Sequence, residues 1–266
     1  RSRGACKDGQ LNRMPSFDHD GVTIAYDDIG AREGRPVVLV HGFTSNRKEN
    51  WQRLGWYGAF ERKRIRCIAL DCRGHGESSK PHDPAGYARA AMVGDVFALL
   101  DHLNVERADL LGYSMGAQLS LAAAMATPKR FPLLILGGIG GKLFEPRPPG
   151  YPMAEAMEAS HPDTIADPVL RSFRRFADEQ GEDRLALAAL NRADNPQFTK
   201  DDLAKLSVET LFVAGARDDL AGDPNELASL VHGAKAVTLP GCDHFSAIPH
   251  ALFKASVFDF LDGTLD

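Results

Sequence analysis

The feature of this sequence that most restricts its fold is a set of short, mainly apolar runs, the first of which, at residues 36–40, is continuously apolar and rich in β-branched residues. Such runs are typical of strands buried on both faces of a parallel sheet. They occupy residues 36–40, 65–70, 108–111, 133–136, 210–214 and 236–239. Segments with helical patterns lie between several of these runs, at residues 87–103, 115–125 and 224–231, and another, at residues 251–261, follows the last run. The alternation predicts an α/β fold with a mostly parallel sheet flanked by helices.

This alternation is interrupted between residues 141 and 205. The stretch begins with a proline-rich segment and then contains three helical patterns, near residues 153–159, 169–178 and 184–193. Open α/β sheets bind their ligands at the carboxyl ends of the strands, so an inserted helical unit is expected to form a cap over that edge. The sequence therefore predicts a core of residues 14–140 and 206–266 and a helical cap of residues 141–205.

The amino-terminal part of the chain divides into two stretches. Residues 1–13 are polar and lack the apolar region of a signal peptide, and we expect them to be a disordered leader or an expression remnant. Two strand-like runs follow, at residues 16–18 and 22–27. Between them lies Asp20-Gly21, a dipeptide typical of a hairpin turn, so we expect the fold to begin with a hairpin.

Composition argues against several classes of partner. The formal net charge is −5 and the Lys and Arg residues are scattered, so nucleic-acid binding is not expected. No apolar stretch approaches the ~20 residues that span a bilayer, so membrane insertion is not expected either. The four cysteines suit neither a disulfide framework nor a zinc site, which favours reduced thiols and a cytoplasmic protein. Residues 137–141 are glycine-rich but lack dinucleotide-binding spacing, and no cofactor is expected.

The strongest chemical signal is the motif Gly112-Tyr113-Ser114-Met115-Gly116. It follows an apolar strand and opens an Ala-rich helix, which is the context that a strained nucleophile turn requires. Small flanking residues let backbone segments pass closely, and the positive helix end stabilises developing negative charge. We predict that Ser114 is the nucleophile, although the motif alone is also compatible with a simple glycine-rich turn.

A serine hydroxyl needs a base, and two later loops supply the residues for a catalytic triad. A carboxylate, Asp218 or its neighbour Asp219, follows the predicted strand at residues 210–214. His244 follows the strand at residues 236–239. Both loops are expected at the same edge of a parallel sheet as Ser114. We predict that His244 is the base and that the carboxylate orients its imidazole.

The loop after the strand at residues 36–40 reads His41-Gly42-Phe43. Acyl transfer turns a carbonyl oxygen into an oxyanion, which two backbone N–H groups must meet. We predict that Phe43 and Met115 donate these groups, since one donor should follow the nucleophile and the other should come from this loop. Gly42 allows close approach of the backbone, and His41 is expected to hold the loop by a hydrogen bond.

With these motifs the sequence resembles the α/β-hydrolase family over nearly all of residues 14–266. Residues 71–78 also match the family's D-x-R-G-x-G-x-S stretch, which is usually structural. The resemblance implies an eight-stranded, mostly parallel sheet with an antiparallel second strand and a small helical cap inserted after strand six. It also implies the chain order serine, acid, histidine, and it favours Asp218 over Asp219 from the spacing after Gly215.

The type of nucleophile restricts the reaction. Haloalkane dehalogenases and many epoxide hydrolases resemble this chain but have an aspartate at the position of Ser114. A serine forms an acyl-enzyme, which favours a small-molecule ester substrate with a small or medium acyl group. C–C bond hydrolysis, enol-lactone hydrolysis and cofactor-free perhydrolysis are the enzymatic alternatives. The non-enzymatic alternative is a small-molecule receptor with a vestigial triad, and the sequence does not indicate an oligomeric state.

Overall fold

The computed structural model describes residues 14–265, which contain an eight-stranded sheet in the order β1-β2-β4-β3-β5-β6-β7-β8. β2 pairs antiparallel with β1 and β4, and the other neighbouring pairs are parallel. The strands are β1 (Ser16–His19), β2 (Val22–Ile29), β3 (Pro36–Val40), β4 (Arg66–Leu70), β5 (Asp109–Tyr113), β6 (Leu133–Gly137), β7 (Glu209–Gly215) and β8 (Lys235–Leu239). The predicted fold class is confirmed, whereas the leader predicted at residues 1–13 lies outside the described residues.

Helices flank this sheet on both faces. The helices of the described residues are α1 (Trp56–Arg62), α2 (Arg89–His102), α3 (Met115–Ala126), α4 (Pro152–Glu158), α5 (Pro168–Gln180), α6 (Arg184–Arg192), α7 (Lys200–Ala204), α8 (Pro224–Ala228) and α9 (Ala251–Leu261). α2 and α3 pack on one face, and α1 and α9 pack on the other. No helix in the described part of the chain has the length and apolar character needed to cross a membrane.

The middle strands are buried on both faces, as their mainly apolar sequences predict. Along β3, Val38 and Val40 pack into the cluster on the face covered by α2 and α3. Val37 and Leu39 pack into the cluster on the opposite face. Since successive side chains of a strand point to opposite sides, each half of the alternation supplies one core layer.

The order of the strands determines where a site can form. β3 lies between β4 and β5, so the chain winds outward from β3 in both directions and leaves a crevice at the carboxyl ends of these strands. In the sheet register Val40 is paired with Gly112, and Gly215 is paired with Leu239. The loops that follow β3, β5, β7 and β8 therefore emerge at the same edge.

Helices α4 to α7 lie between β6 and β7. α4, α5 and α6 share a small apolar cluster of their own, and Phe43 from the loop after β3 packs against it. Glu182, in the turn between α5 and α6, accepts hydrogen bonds from the side chain of Asn46 at 3.0 Å and from the backbone N–H of Gly76 at 2.8 Å. The three helical patterns of this stretch are thus present as helices, while its division from the core as a cap remains a prediction.

Two helices were not predicted. α1 follows Gly55, whose φ is 76°, and it has no side-chain N-cap, so no local start signal marks it. α7 does carry such a signal, because Thr199 and Asp202 form a capping box, which the spacing of apolar residues does not reveal. α8 also ends at Ala228, three residues before the predicted end of its pattern at residue 231.

Candidate active site

Ser114 occupies a sharp turn between β5 and α3. Its φ of 54° and ψ of −113° lie outside the regions that an L-residue favours, so the turn stores backbone strain. The flanking glycines are required sterically. A Cβ on Gly116 would lie 2.1 Å from the carbonyl oxygen of Val40, and one on Gly112 would lie 2.3 Å from that of Gly116. The motif therefore presents the Ser114 hydroxyl above the sheet edge.

Three predicted site residues meet at this turn. The Nε2 atom of His244 lies 2.9 Å from the Oγ of Ser114. The Nδ1 atom of the same imidazole lies 2.9 and 3.0 Å from the two carboxylate oxygens of Asp218. Serine, histidine and aspartate thus form one hydrogen-bonded line, in which Nδ1–H donates to the carboxylate and Nε2 accepts from the hydroxyl.

The two candidate acids have different environments. Asp218 is buried, and its Oδ1 accepts hydrogen bonds from the backbone N–H groups of Leu220 and Ala221 at 3.1 and 2.9 Å. These bonds fix the carboxylate toward the imidazole of His244. Asp219 is exposed, and the ion pair of His244 is formed with Asp218. Of the two, the structure brings only Asp218 to the imidazole.

The loop that carries His244 is held from two sides. The Asp243 carboxylate accepts hydrogen bonds from the N–H groups of Phe245 and Ser246 and from the Ser246 hydroxyl, and these donors hold the pKa of Asp243 below its usual value. On the inner side, the Tyr113 hydroxyl donates to the carbonyl oxygen of His244 at 2.5 Å. Sequence reasoning missed Tyr113 as a positioning residue, because no local pattern indicates a contact 131 positions away.

The loop after β3 lies against the nucleophile turn. A Cβ built on Gly42 would lie 3.6 Å from the Cβ of Ser114, so the two backbones are neighbours. His41 is fully buried, with Nδ1 donating to the Gly42 carbonyl at 2.8 Å and Nε2 accepting from the N–H of Cys72 at 2.9 Å. Burial lowers the pKa of His41 and keeps it neutral, which suits the predicted structural role.

Two backbone N–H groups beside Ser114 are available to a ligand. The N–H groups of Phe43 and Met115 donate no hydrogen bond to any acceptor among residues 14–265. Both residues line a cavity that also reaches Ser114. Met115 is the first residue of α3, where an N–H group has no partner inside the helix. The sequence predicts these two groups as oxyanion donors, and that role stays a prediction.

Residues 71–78 form a structural loop and do not contribute to the triad. Asp71 is fully buried, contacts the guanidinium of Arg47 and accepts from the Arg47 and Glu77 N–H groups, each at 2.8 Å. Gly76 is needed here, because a Cβ at that position would lie 2.3 Å from the Asp71 carboxylate. The Arg47–Asp71 pair therefore fixes the loop behind the site.

Three cavities open onto Ser114. Two have volumes of about 310 Å³ each and share Arg89, Gln118 and Arg147 in their walls. The third, of about 200 Å³, has apolar walls that include Phe173, Phe176, Phe245 and Ile248. The reacting group of a ligand would thus lie between an apolar cavity and two more polar ones.

The large apolar side chains between β6 and β7 divide into two groups. Phe173 and Phe176 line the third cavity, and Met153 and Phe173 line the first. Phe144, Tyr151 and Met157 line none of the three. Among residues 14–265, no group of three or more His, Cys, Asp or Glu side chains is placed to bind a metal ion.

Comparisons with known proteins agree with this architecture. Residues 37–253 match the sequence model of the alpha/beta hydrolase family. The chain is 32% identical over 238 residues to the dihydrolipoyllysine-residue acetyltransferase component of the acetoin cleaving system of Pseudomonas putida. That match includes 84% of this chain but 62% of the relative, so the chain spans less than two thirds of that protein.

Two further proteins match over nearly their whole lengths. A 2-hydroxymuconate semialdehyde hydrolase from Pseudomonas sp. (strain CF600) is 29% identical over 273 residues, which is 91% of each chain. The crystal structure of the enol-lactonase from Burkholderia xenovorans LB400 has a TM-score of 0.78 and 25% identity, covering 93% of this chain and 100% of its own. Sequence and fold lead to the same result: the chain belongs to the alpha/beta hydrolase family.

Proposed function

We infer that the chain is a serine hydrolase that cleaves carboxylic esters of small or medium acyl groups. The observation that carries this proposal is the line of hydrogen bonds from the Ser114 hydroxyl through His244 to Asp218. A serine held 2.9 Å from an imidazole is activated because Nε2 can take its proton as the oxygen attacks a carbonyl carbon. The apolar third cavity beside it suits the acyl chain.

The reaction has two halves. In the first, Ser114 attacks the ester, and the N–H groups of Phe43 and Met115 hold the oxyanion. The imidazolium of His244, stabilised by Asp218, then gives its proton to the leaving alcohol, and an acyl-enzyme remains. In the second half His244 takes a proton from the water that attacks the acyl group. The imidazolium then returns this proton to the Ser114 oxygen as the bond to the acyl group breaks and the acid leaves.

The test is steady-state hydrolysis of p-nitrophenyl acetate, butyrate and octanoate by the parent and by Ser114→Ala. We expect clear turnover by the parent and a loss of kcat of about 10⁴-fold or more in the variant, because members of a triad act as a unit. The fold should persist, since the change removes one oxygen from a turn that faces a cavity. Circular dichroism and the melting temperature check that point.

Two results would contradict the esterase proposal. Equal turnover by Ser114→Ala and the parent would remove the serine mechanism. A folded parent that hydrolyses none of the three esters would remove the substrate class and favour the second candidate below. The ranking of the three esters reports how long an acyl chain the apolar cavity accepts.

The second candidate is hydrolysis of a carbon–carbon bond by the same serine. It is favoured by the similarity to a 2-hydroxymuconate semialdehyde hydrolase over 91% of both chains. That substrate is not an ester, so its hydrolysis has to break a carbon–carbon bond. Loss of the absorbance of 2-hydroxymuconate semialdehyde, with no turnover of p-nitrophenyl esters, would select this candidate.

A further inference from the structure

Arg89 is a half-buried cation beside the candidate site. It is the first residue of α2 and lines both of the 310 Å³ cavities that reach Ser114. Its guanidinium lies over the ring of Phe198, 4.2 Å from the centroid, and its backbone N–H donates to the side chain of Asn195 at 2.6 Å. The chain that follows α6 therefore holds both the backbone and the charged group of Arg89 in place.

No carboxylate of the part of the chain that the structure describes serves as a counter-ion for this cation. The buried arginines Arg47, Arg66 and Arg73 each contact a carboxylate. Arg89 differs, because within residues 14–265 no carboxylate oxygen lies within 4.0 Å of its guanidinium nitrogens. Burial and the neighbouring Arg147 lower the pKa of Arg89. A guanidinium still stays protonated at neutral pH, so the site holds a positive charge that no carboxylate of residues 14–265 contacts.

The charges around Arg89 leave the cavity positive. Arg147 lines both cavities with it, and Lys142 lines the first. The carboxylate of Glu145 also lines the first cavity and offsets part of this charge. Asp202 attracts Arg89 through space, but its carboxylate already accepts from the backbone N–H and the hydroxyl of Thr199. An anion entering the cavity would therefore find Arg89 unengaged.

We propose that Arg89 is a specificity-determining residue and that the substrates of this chain carry a carboxylate, which Arg89 binds while an apolar part fills the third cavity. This inference rests on the proposed function, because the bound carboxylate positions an ester carbonyl at Ser114. A guanidinium is matched to a carboxylate by its planar fork, which forms two parallel hydrogen bonds. Arg147, which is exposed, strengthens the positive potential at the cavity entrance.

The test compares charged and neutral esters of the same shape. Mono-4-nitrophenyl adipate against 4-nitrophenyl hexanoate places the carboxylate on the acyl side. 4-Carboxyphenyl butyrate against phenyl butyrate places it on the alcohol side. For at least one pair we expect the parent to favour the charged ester about 10- to 100-fold in kcat/KM, mainly through KM, since hydrogen bonds between charged groups have this strength.

Arg89→Met should reduce this ratio to about 1, and Arg89→Lys should retain part of it, because a lysine keeps the charge but not the fork. Arg107→Met is the matched control, since Arg107 is exposed and precedes β5, at the opposite edge of the sheet from Ser114. It should leave the ratio unchanged. Ester turnover without a preference for either charged ester, or a preference that Arg89→Met retains, would overturn the inference.

A binding measurement separates this inference from the proposed function. Calorimetry with 6-phenylhexanoate and its neutral amide needs no turnover. Tighter binding of the acid by the parent, lost in Arg89→Met, supports the anion site even if no ester is hydrolysed, in which case the esterase proposal alone would be wrong. Equal binding of acid and amide by a parent that hydrolyses esters overturns the anion site alone.

Discussion

At the scale of single residues, two buried histidines behind the site have consequences for stability. The ring centroids of His41 and His75 are 5.0 Å apart, and the ring of His75 also lies edge-on to that of Phe43. Burial lowers the pKa of both, and the Nε2 of His75 has no hydrogen-bond partner within residues 14–265. Protonation of either ring would bury a positive charge, which costs free energy, so both rings remain neutral in the folded protein.

This gives a prediction about pH. The unfolded chain binds these protons near the ordinary histidine value of 6.5, whereas the folded chain does not. The two neutral histidines therefore do not lower the stability of the folded protein above pH 6.5, and the protein loses stability as the pH falls below that value. For each histidine, the free energy of unfolding should fall by up to about 1.4 kcal/mol for each pH unit below 6.5. Urea denaturation between pH 7.5 and 5.5 measures it.

His75→Phe keeps the ring shape and removes one titrating group, so its stability should fall less steeply with decreasing pH than that of the parent. His232→Gln, at an exposed position, serves as the control and should follow the parent curve. Parallel curves for His75→Phe and the parent would show that His75 is not held neutral by burial.

At the scale of elements, the junction of β3, β5 and α3 depends on glycine. The Cβ of an alanine at position 116 would lie 2.1 Å from the Val40 oxygen and 2.5 Å from the His41 oxygen. Both are backbone atoms of the sheet edge and cannot move independently. Gly116→Ala is therefore expected to destabilise the protein by about 1–3 kcal/mol and to displace Ser114, with loss of ester hydrolysis.

Gly58→Ala is the matched control for that substitution. Gly58 lies within α1, and the nearest atom to an added Cβ is a guanidinium nitrogen of Arg62 at 3.5 Å, an ordinary contact. An alanine in a helix interior should stabilise it by about 0.5–1 kcal/mol. Denaturant unfolding of both variants tests the contrast, and a Gly116→Ala protein as stable and active as the parent would disprove the steric argument.

At the scale of the whole molecule, the helices between β6 and β7 are tied to the sheet through Glu182. Its two carboxylate oxygens accept from Asn46 and Gly76, and burial raises its pKa. Glu182→Ala leaves both donors without this acceptor. We expect residues 141–205 to open about 10-fold more often, and limited proteolysis to cut there faster, since local opening controls cleavage.

Glu179→Ala, a change at an exposed position of α5, should be cut at the parental rate. Cleavage confined to residues 141–205 would also test the predicted boundaries of the cap. Equal rates for Glu182→Ala and Glu179→Ala, or first cuts within the sheet, would contradict this account of how the helices are attached.

The sequence by itself determined the elements and the candidate residues. An apolar run such as Pro36–Val40 indicates a strand buried on both faces, and the glycines around Ser114 indicate a close backbone contact. Both features can be predicted because each restricts the residue types within a short segment. Elements that no short sequence motif marks were not predicted. α1 is one example, since burial of its aromatic residues against distant strands stabilises it rather than a cap.

Only the tertiary structure decided the rest. Ser114 and His244 are 130 positions apart, and Tyr113 reaches the carbonyl of His244 across 131. The contact of Asp218 with His244, the three cavities and the place of Arg89 in the walls of two of them likewise depend on which loops meet at the sheet edge. The physical reason is that hydrogen bonds and ion pairs are set by distances of a few ångströms, whereas a sequence pattern specifies only each segment's own periodicity.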